Sequence, residues 1–354
     1  MNPVITAWSA VSAFGVDSEA LLPGAWAATG PEASPVDHER WPVSDDTACL
    51  VPGFDVREVL GRKGTRSIDR VTGLALTAVG RLVDAGVETG DDTALVLGTT
   101  SGGLQSQWTT TTDMLVQDKP FYIDPSAIPY VIMNGTAGQC AIWHTLRGPN
   151  TTIAAARTSG LTALRYARTL LSTGRARRVL CGGAEEYSAS RSWLDRRTRG
   201  GDDATVLGEG AAMLLVEPAN AVGPGRTPLA EVAAVELGVA PLDDADLAGA
   251  LTACVRRALD RAGVPAGDVW AASPGPSAVE RAVHTELFGA QALAAVPAVD
   301  LLGDLAAATG AFQLALVLGS AAREPVAGRV AVITTTDREG SIGAAVLRLN
   351  PDLS

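Results

Sequence analysis

Apolar and polar residues follow two different periods along the first third of the chain. Short apolar runs at 4–8 and 94–98 have the length of buried strands. Residues 67–85 carry apolar side chains at helical spacing, and a glycine at 86 offers a stop. Residues 104–117 predict a second helix, weak by itself because it holds four threonines. A polar, proline-containing stretch at 30–46 is typical of a surface loop.

The later part of the chain repeats the order of these segments. Similar sequences stand in matching order at 75–78 and 250–253, 84–87 and 260–264, 95–98 and 269–273, 158–164 and 308–314, and 178–180 and 329–331. Such a repeat predicts an internally duplicated α/β fold. Chance likeness between alanine-rich helices followed by valine-rich strands is the alternative. We expect the two halves to cover 1–222 and 223–354 and to form one compact unit.

Composition and charge exclude several classes of protein. Hydrophobic residues make up 47% of the chain and aromatic residues only 5%, as in a soluble α/β protein rich in helices. The apolar runs near 211–216 and 311–319 are too short to span a bilayer, and the N-terminus lacks the positive charge of a signal peptide. A net charge of −11 disfavours nucleic acid, and it makes the chain a poor primary dock for an acidic carrier protein.

The cysteines and histidines do not suggest a metal site. Four cysteines lie apart from one another without the spacing of metal ligands, at Cys49, Cys140, Cys181 and Cys254. We interpret them as reduced packing residues of a cytoplasmic protein, and we expect no metal and no cofactor. The three histidines are predicted to be solvated or packed: His38, His144 and His284.

Three motifs follow one another in the middle of the chain. They read RGPNTTIAAARTSGLTAL at 147–164, LCGGAEE at 180–186 and VLGEGAA at 206–212. In this order they resemble the nucleophile region and the two following glycine-rich segments of β-ketoacyl synthases. The resemblance extends over residues 4–349. It implies a thiolase fold, with five layers α-β-α-β-α built from two duplicated halves, usually in a dimer.

The catalytic residues of that family are missing from this chain. The family uses a cysteine at a helix N-terminus, which takes the acyl chain as a thioester, and two histidines that promote decarboxylation. The corresponding positions here are Arg157 for the cysteine, Ser273 for the first histidine and Asp304 for the second. Because an arginine stays protonated, it cannot act as a thioester nucleophile. The resemblance therefore implies that this chain alone does not condense acyl groups.

Two of these replacements carry opposite charges. An active ketosynthase holds its cysteine and second histidine in one buried pocket, so Arg157 and Asp304 should lie close together. We predict that they form a salt bridge, since a lone buried charge costs several kcal/mol. In the alternative, Arg157 binds another acid or backbone carbonyls, and Asp304 meets solvent.

A ketosynthase-like chain without these residues resembles a chain-length factor, the ketosynthase β subunit of type II polyketide synthases. The resemblance implies a heterodimer with a catalytic ketosynthase α subunit, which would also hold most of the acyl carrier protein. It places the tunnel lining at Ser101, Leu104, Gln107, Thr111, Ala127 and Ile128. It places the strand at the dimer interface at Thr151, Thr152, Ile153 and Ala154. For the residues at 104–111, packing or a solvated helix surface is the alternative.

Two further functions stay open at the level of sequence. The chain could be an enzyme on a repurposed thiolase fold, with Arg157 binding a substrate carboxylate or a thioester oxygen. It could also be a scaffold for other synthase components that shapes no tunnel. Arginine in place of the glutamine common in chain-length factors, together with the short length, favours a divergent branch such as one building polyenes.

Overall fold

The computed structural model describes residues 2–198, 205–223, 225–240, 244–323 and 328–350. The strands are β1 (Pro3–Val11), β2 (Ser34–Pro35), β3 (Thr47–Ala48), β4 (Thr93–Gly98), β5 (Asn150–Ile153), β6 (Arg178–Glu185), β7 (Gly210–Pro218), β8 (Ala230–Val239), β9 (Val269–Ser273), β10 (Val330–Thr336) and β11 (Ser341–Leu349). The α-helices are α1 (Ser18–Ala27), α2 (Val56–Leu60), α3 (Arg70–Asp84), α4 (Leu104–Val116), α5 (Ile128–Val131), α6 (Gly135–His144), α7 (Ser159–Ser172), α8 (Ala189–Thr198), α9 (Asp244–Ala262), α10 (Ala278–Ala294) and α11 (Thr309–Ala321).

The predicted elements form close to their expected bounds. Helix α3 begins at Arg70 because the Asp69 side chain caps it, accepting a hydrogen bond from the Thr72 amide at 3.1 Å. The weakly predicted helix at 104–117 forms as α4. The loop predicted at 30–46 holds only the two-residue strand β2.

Nine strands form one hydrogen-bonded sheet in the order β5-β4-β6-β7-β1-β8-β11-β10-β9. Strands β5, β4 and β6 are parallel, as are β9 and β10, and the strands between them are antiparallel. Strands β1 and β8 pair only at Val4–Glu231 and Ile5–Ala230. This short contact joins an N-terminal part, β5 to β1, to a C-terminal part, β8 to β9.

Helices cover both parts of the sheet on both sides. Helices α7 and α11 pack between the two parts, and all thirteen residues of α11 are buried. A helix that is apolar on every side belongs in such a central layer. Helix α3 packs on the outer side of the N-terminal part, and α9 and α10 pack on the outer side of the C-terminal part. The predicted five-layered thiolase fold is therefore confirmed.

The two halves of the chain repeat one plan, as the sequence predicts. The order α3-β4-α7-β6-β7 in the first half returns as α9-β9-α11-β10-β11 in the second. The turns that lead into α7 and α11 contain matching alanines with positive φ, 44° at Ala156 and 42° at Ala306. This conformation is uncommon for a residue other than glycine. Its recurrence at equivalent positions supports the duplication independently of sequence similarity.

Strand β5 lies at the edge of the sheet and pairs only with β4 within the described residues. Its side chains are half-buried or exposed. A free edge leaves backbone N–H and C=O groups open to pairing with another chain. This edge contains most of the strand that the sequence predicts at the dimer interface. Within the described part of the chain, no helix is both long and apolar enough to cross a membrane.

Candidate functional site

Arg157 lies in the turn that leads from β5 into α7. The turn is held by Ser159, whose hydroxyl accepts a hydrogen bond from the Ala155 amide at 2.9 Å, and by Thr158, whose hydroxyl donates to the Ala155 carbonyl at 2.6 Å. The positive φ of Ala156 places the next side chain at the N-terminal end of α7. The dipole of a helix N-terminus favours anions, so a guanidinium there needs a nearby carboxylate.

That carboxylate belongs to Asp304. The Arg157 Nη2 atom lies 2.5 Å from Asp304 Oδ2, and its Nε lies 3.4 Å from Oδ1. Only 16% of the arginine side chain and 4% of the aspartate side chain are exposed. Burial by itself would raise the pKa of Asp304, but the Arg157 guanidinium holds it below the usual range. The predicted salt bridge is confirmed.

Asp304 is fixed from two further directions. Its Oδ1 accepts a hydrogen bond from the Ala306 amide at 2.9 Å, which stabilises the turn before α11. Its backbone carbonyl accepts one from buried Arg191 at 2.6 Å. Arg191 also donates to the carbonyls of Glu186 and Gly208, at 2.7 and 2.6 Å. Arg191 cannot be identified from the sequence, since nothing in the spacing of this residue predicts three carbonyl partners.

The third replaced position, Ser273, lies at the end of β9 near a set of buried polar side chains. Its carbonyl accepts a hydrogen bond from Gln313 Nε2 at 2.7 Å, while its hydroxyl has no partner among the described residues. His284 is fully buried, its Nε2 lies 2.9 Å from the Thr334 hydroxyl, and burial lowers its pKa to about 3. It is packed, as predicted, and neutral.

Glu280 is a buried acid close to the Arg157–Asp304 pair but without a strong partner of its own. Neither of its carboxylate oxygens has a hydrogen bond of good geometry among the described residues. Burial raises the pKa of Glu280 to about 8, against the opposing effects of the Ser277 amide and the Arg157 guanidinium. Nothing in the sequence singles out Glu280, because burial on this side of α10 depends on the fold.

No thiol in this region is activated. Cys181 lies inside β6 and is fully buried, and burial raises its pKa to about 12. It is a packing residue, as predicted, and the other three cysteines are buried as well. His38 is exposed, and His144 is half-buried with its Nε2 atom 3.1 Å from the Leu76 carbonyl.

The glutamates of the two glycine-rich motifs support the structure around the site. Glu209 forms a two-pronged salt bridge with Arg70, at 2.5 and 2.6 Å, and accepts hydrogen bonds from the Val51 and Tyr187 amides. Glu186 accepts a hydrogen bond from the Gln105 amide at 3.1 Å. Burial, assisted by Asp69, raises the pKa of Glu186 to about 8.

The predicted tunnel residues lie on and around α4. Leu104 and Gln107 are half-buried, and Thr111 is exposed. The Gln107 amide donates to the Ser101 carbonyl at 2.5 Å, which brings these two residues together. The other two predicted residues precede and begin α5, which packs against α4: Ala127 is half-buried, and Ile128 is 42% exposed.

Large apolar side chains are exposed over this same region. Within the described residues, most of the exposed large apolar residues fall between 108 and 143. We call this group the exposed apolar face: Trp108, Met114, Leu115, Val116, Phe121, Tyr122, Ile128, Ile132, Met133, Ile142 and Trp143. An apolar surface of this extent is typical of a protein–protein interface. This surface cannot be identified from the sequence, since these residues do not form a regular amphipathic pattern.

Comparisons with known proteins agree with this geometry. Residues 43–221 match the family described as beta-ketoacyl synthase, N-terminal domain. The chain belongs to the β-ketoacyl synthase family. The 3-oxoacyl-[acyl-carrier-protein] synthase 2 proteins of Vibrio cholerae and Coxiella burnetii are each 30% identical to it, over 198 and 199 residues. These matches cover 48% of the chain and 46% of each relative, so the chain spans about half the length of these curated relatives.

One solved structure of the family matches from end to end. The ishigamide ketosynthase/chain length factor is 44% identical, with a TM-score of 0.93 and coverage of 99% of both chains. A β-ketoacyl synthase from Burkholderia phymatum, 20% identical, matches in fold with a TM-score of 0.76, over 98% of this chain and 99% of its own. The resemblance to ketosynthase/chain-length-factor proteins of the thiolase fold is thus confirmed.

Proposed function

We propose that this protein is a non-catalytic chain-length factor of a type II polyketide synthase. It pairs with a catalytic ketosynthase and shapes, at their interface, the tunnel in which the polyketide grows. The observation that carries the proposal is the salt bridge between Arg157 and Asp304. It occupies the position that the family resemblance assigns to the nucleophile and its histidine. Arg157 stays protonated and Asp304 is engaged in the ion pair, so this position offers no thiol to take the acyl chain as a thioester.

The outer surface supports the pairing. The exposed apolar face and the free edge of β5 together offer what a large interface needs, apolar area and unpaired backbone groups. An obligate heterodimer interface buries on the order of 2,000 Å² or more. The proposed contact on the β5 side contains Thr151, Thr152, Ile153 and Ala154, which are half-buried or exposed in this chain. The partner would also bind most of the acidic carrier protein, because this chain has a net charge of −11.

Chain length would then depend on α4 and its neighbours. If Leu104, Gln107 and Thr111 line the tunnel, a larger side chain at Thr111 should block it by steric exclusion. We expect Thr111→Trp to shorten the products without stopping condensation, as measured by mass spectrometry of products from the reconstituted synthase. Thr285→Trp, at an exposed position of α10 in the C-terminal half, is the matched control. Unchanged products from an intact heterodimer would remove Thr111 from the tunnel wall.

The contacts and burial of Arg157 argue against the alternative of an independent enzyme. Its guanidinium is already engaged by Asp304 and is mostly buried, so it has little capacity to bind a substrate carboxylate. A substrate would have to displace a partner held at 2.5 Å.

Expression with and without the ketosynthase tests the proposal. We expect the chain alone to be inactive and poorly soluble, and the co-expressed pair to purify as a stable heterodimer that condenses acyl groups. The products should change when this chain is exchanged for another chain-length factor. A soluble monomer that ignores the ketosynthase, or condensation by this chain alone, would contradict the proposal.

A further inference from the structure

Arg191 is a buried cation that backbone carbonyls hold in place. Its guanidinium donates hydrogen bonds to the carbonyls of Glu186, Gly208 and Asp304, and only 8% of the residue is exposed. Among the described residues, the partners of these hydrogen bonds do not include a carboxylate. A guanidinium presents several donors in one rigid plane, so a single side chain can bind carbonyls from three segments at once.

The three carbonyls belong to segments that are far apart in sequence. Glu186 follows β6, Gly208 precedes β7, and Asp304 lies in the turn before α11. The last two segments are in direct backbone contact, because the Gly208 amide donates to the Asp304 carbonyl at 3.0 Å. A Cβ atom at Gly208 would lie 2.0 Å from the Leu302 carbonyl oxygen, so this close approach requires glycine. Arg191 therefore joins the turn that carries Asp304 to the ends of two strands of the N-terminal half.

The segment just before this arginine holds the first turn of α4. The Gln105 amide is one of the helix amides that have no partner inside α4, and it donates to Glu186 Oε1 at 3.1 Å. Gln105 Oε1 accepts hydrogen bonds from the amide and the hydroxyl of Ser190, at 3.2 and 3.0 Å. Together with the bond from the Ser106 hydroxyl to Asp69, at 3.2 Å, these contacts fix the rotation of α4 about its axis.

Helix α4 contributes a large part of the exposed apolar face. Between 46% and 80% of each of these four residues of the helix is exposed: Trp108, Met114, Leu115 and Val116. The directions in which their side chains point depend on the rotation of the helix. Arg191, by contrast, is buried, so its effect on the binding of a partner would be indirect.

We propose that Arg191 is a positioning residue for partner binding, which holds α4 in the orientation that the ketosynthase recognises. The inference rests on the proposed function and names a residue on which that function depends. Without the guanidinium, three buried carbonyls lose a donor, and the segment 186–190 loses its attachment to the turn of Asp304. Helix α4 is then less firmly held, since Glu186 and Ser190 provide its contacts with this segment.

The experiment measures the dissociation of purified heterodimers with the ketosynthase after dilution. Arg191→Met removes the donors and keeps much of the apolar volume, whereas Arg191→Lys keeps the charge but lacks the planar set of donors. We expect dissociation to be about tenfold faster with Arg191→Met, because changes at an interface act mostly on the dissociation rate, and to increase less with Arg191→Lys. Hydrogen exchange of the α4 amides should accelerate in the same order.

A second substitution tests whether Arg191 acts through α4. Gln105→Ala removes the side-chain contact with Ser190, and we expect it to speed dissociation by itself. Because both changes release the same turn of the helix, Arg191→Met should add little to the effect of Gln105→Ala. Independent contributions would instead multiply the two rate increases.

Arg226 provides the matched control for the loss of a buried arginine. Its side chain is 13% exposed, and it forms a salt bridge with Glu217, at the opposite end of β7 from Gly208. Arg226→Met should lower the stability of the fold but leave heterodimer dissociation and α4 exchange unchanged. It should also leave the effect of Gln105→Ala as it is in the wild-type chain.

Two outcomes would overturn the assignment. Unchanged dissociation of the Arg191→Met heterodimer, or of the Arg191→Lys heterodimer where the first variant does not fold, would show that pairing does not depend on Arg191. Equal acceleration by Arg226→Met, with multiplying effects of Arg191→Met and Gln105→Ala, would show that Arg191 supports only the general stability of the fold. Failure of the proposed function appears separately, as a wild-type chain that does not bind the ketosynthase, and it would overturn the assignment of Arg191 as well.

Discussion

Two regions of this molecule reverse the usual distribution of polar and apolar groups. The turns before α7 and α11 contain a buried ion pair, Arg157 and Asp304, and the buried acid Glu280 on α10 lies near Arg157. The surface over α4 to α6 instead exposes tryptophan, isoleucine and methionine side chains. A buried ion pair is weak support for stability, and an uncovered apolar surface is a liability for a lone chain. Under the proposed function, the buried ion pair lies at the positions that the family resemblance assigns to the nucleophile and its histidine, and the exposed apolar surface is where the partner binds.

The largest expected effect on complex formation concerns the surface. Ile142 is 75% exposed within the exposed apolar face, and a charge there would be buried without a partner in a complex. We expect Ile142→Glu to weaken heterodimer formation by on the order of a hundredfold or more, the equivalent of about 3 kcal/mol. Analytical ultracentrifugation or pull-down with the ketosynthase measures this.

The matched control for Ile142 lies on another surface. Val239, at the end of β8, is 81% exposed and outside the exposed apolar face. Val239→Glu should leave pairing intact. If both substitutions weakened heterodimer formation equally, the exposed apolar face would not be the interface. The contrast between the interior and this surface would then say nothing about function.

The next prediction concerns the stability that depends on the buried ion pair. Removing one partner leaves the other charge buried and alone, so Arg157→Met and Asp304→Leu should each destabilise the fold by about 3–5 kcal/mol. The double substitution should cost much less than the sum of the two, because it removes both charges. Chemical denaturation of the four proteins, all in complex with the ketosynthase, measures this coupling.

A second ion pair provides the control for this comparison of single and double substitutions. Arg281 and Asp300 lie 2.8 Å apart, but their side chains are 46% and 44% exposed. Exposed pairs contribute about 0–1 kcal/mol, so the same cycle at this pair should give a small coupling energy. A coupling at Arg157 and Asp304 no larger than that of the surface pair would show that solvent screens the interior pair.

The most gradual effect is a dependence on pH, spread over several pH units. The folded-state pKa of Glu280, about 8, lies above that of an ordinary glutamate, so the folded protein binds more protons than the unfolded chain between about pH 4.5 and 8. Stability should therefore fall as the pH rises through this window, by up to about 1.4 kcal/mol per pH unit from this group. Glu280→Gln should flatten the curve, measured as the free energy of unfolding from pH 5 to 8.5.

The stability contributed by Asp304 changes with pH in the opposite direction, which distinguishes it from the contribution of Glu280. Its pKa is lowered in the folded state, so its contribution is present above the ordinary pKa of an aspartate and disappears as the pH falls below it. The Glu280→Gln protein should keep this loss at acidic pH. If the Glu280→Gln protein lost as much stability between pH 5 and 8 as the wild type does, this would mean that Glu280 is ionised and solvated in the folded protein.

The sequence determined the general fold and the absence of a thiol at position 157. Apolar runs of strand length, the helical spacing of apolar residues over 67–85 and the repeated order of segments were sufficient to predict two duplicated halves, because periodicity reports burial locally. Residue identity alone established that Arg157 cannot be a nucleophile. The opposite charges of Arg157 and Asp304 were sufficient to predict their pairing, since two buried charges need each other.

Only the tertiary structure decided what depends on contacts distant in sequence. The carbonyl partners of Arg191, the burial of Glu280 beside Arg157 and the rotation of α4 all come from segments that meet only in the folded chain. The exposed apolar face could not be read from the sequence either. Apolar residues of α4 to α6 resemble core residues in sequence, and only the packed structure leaves them uncovered, because no other part of the described chain packs over them.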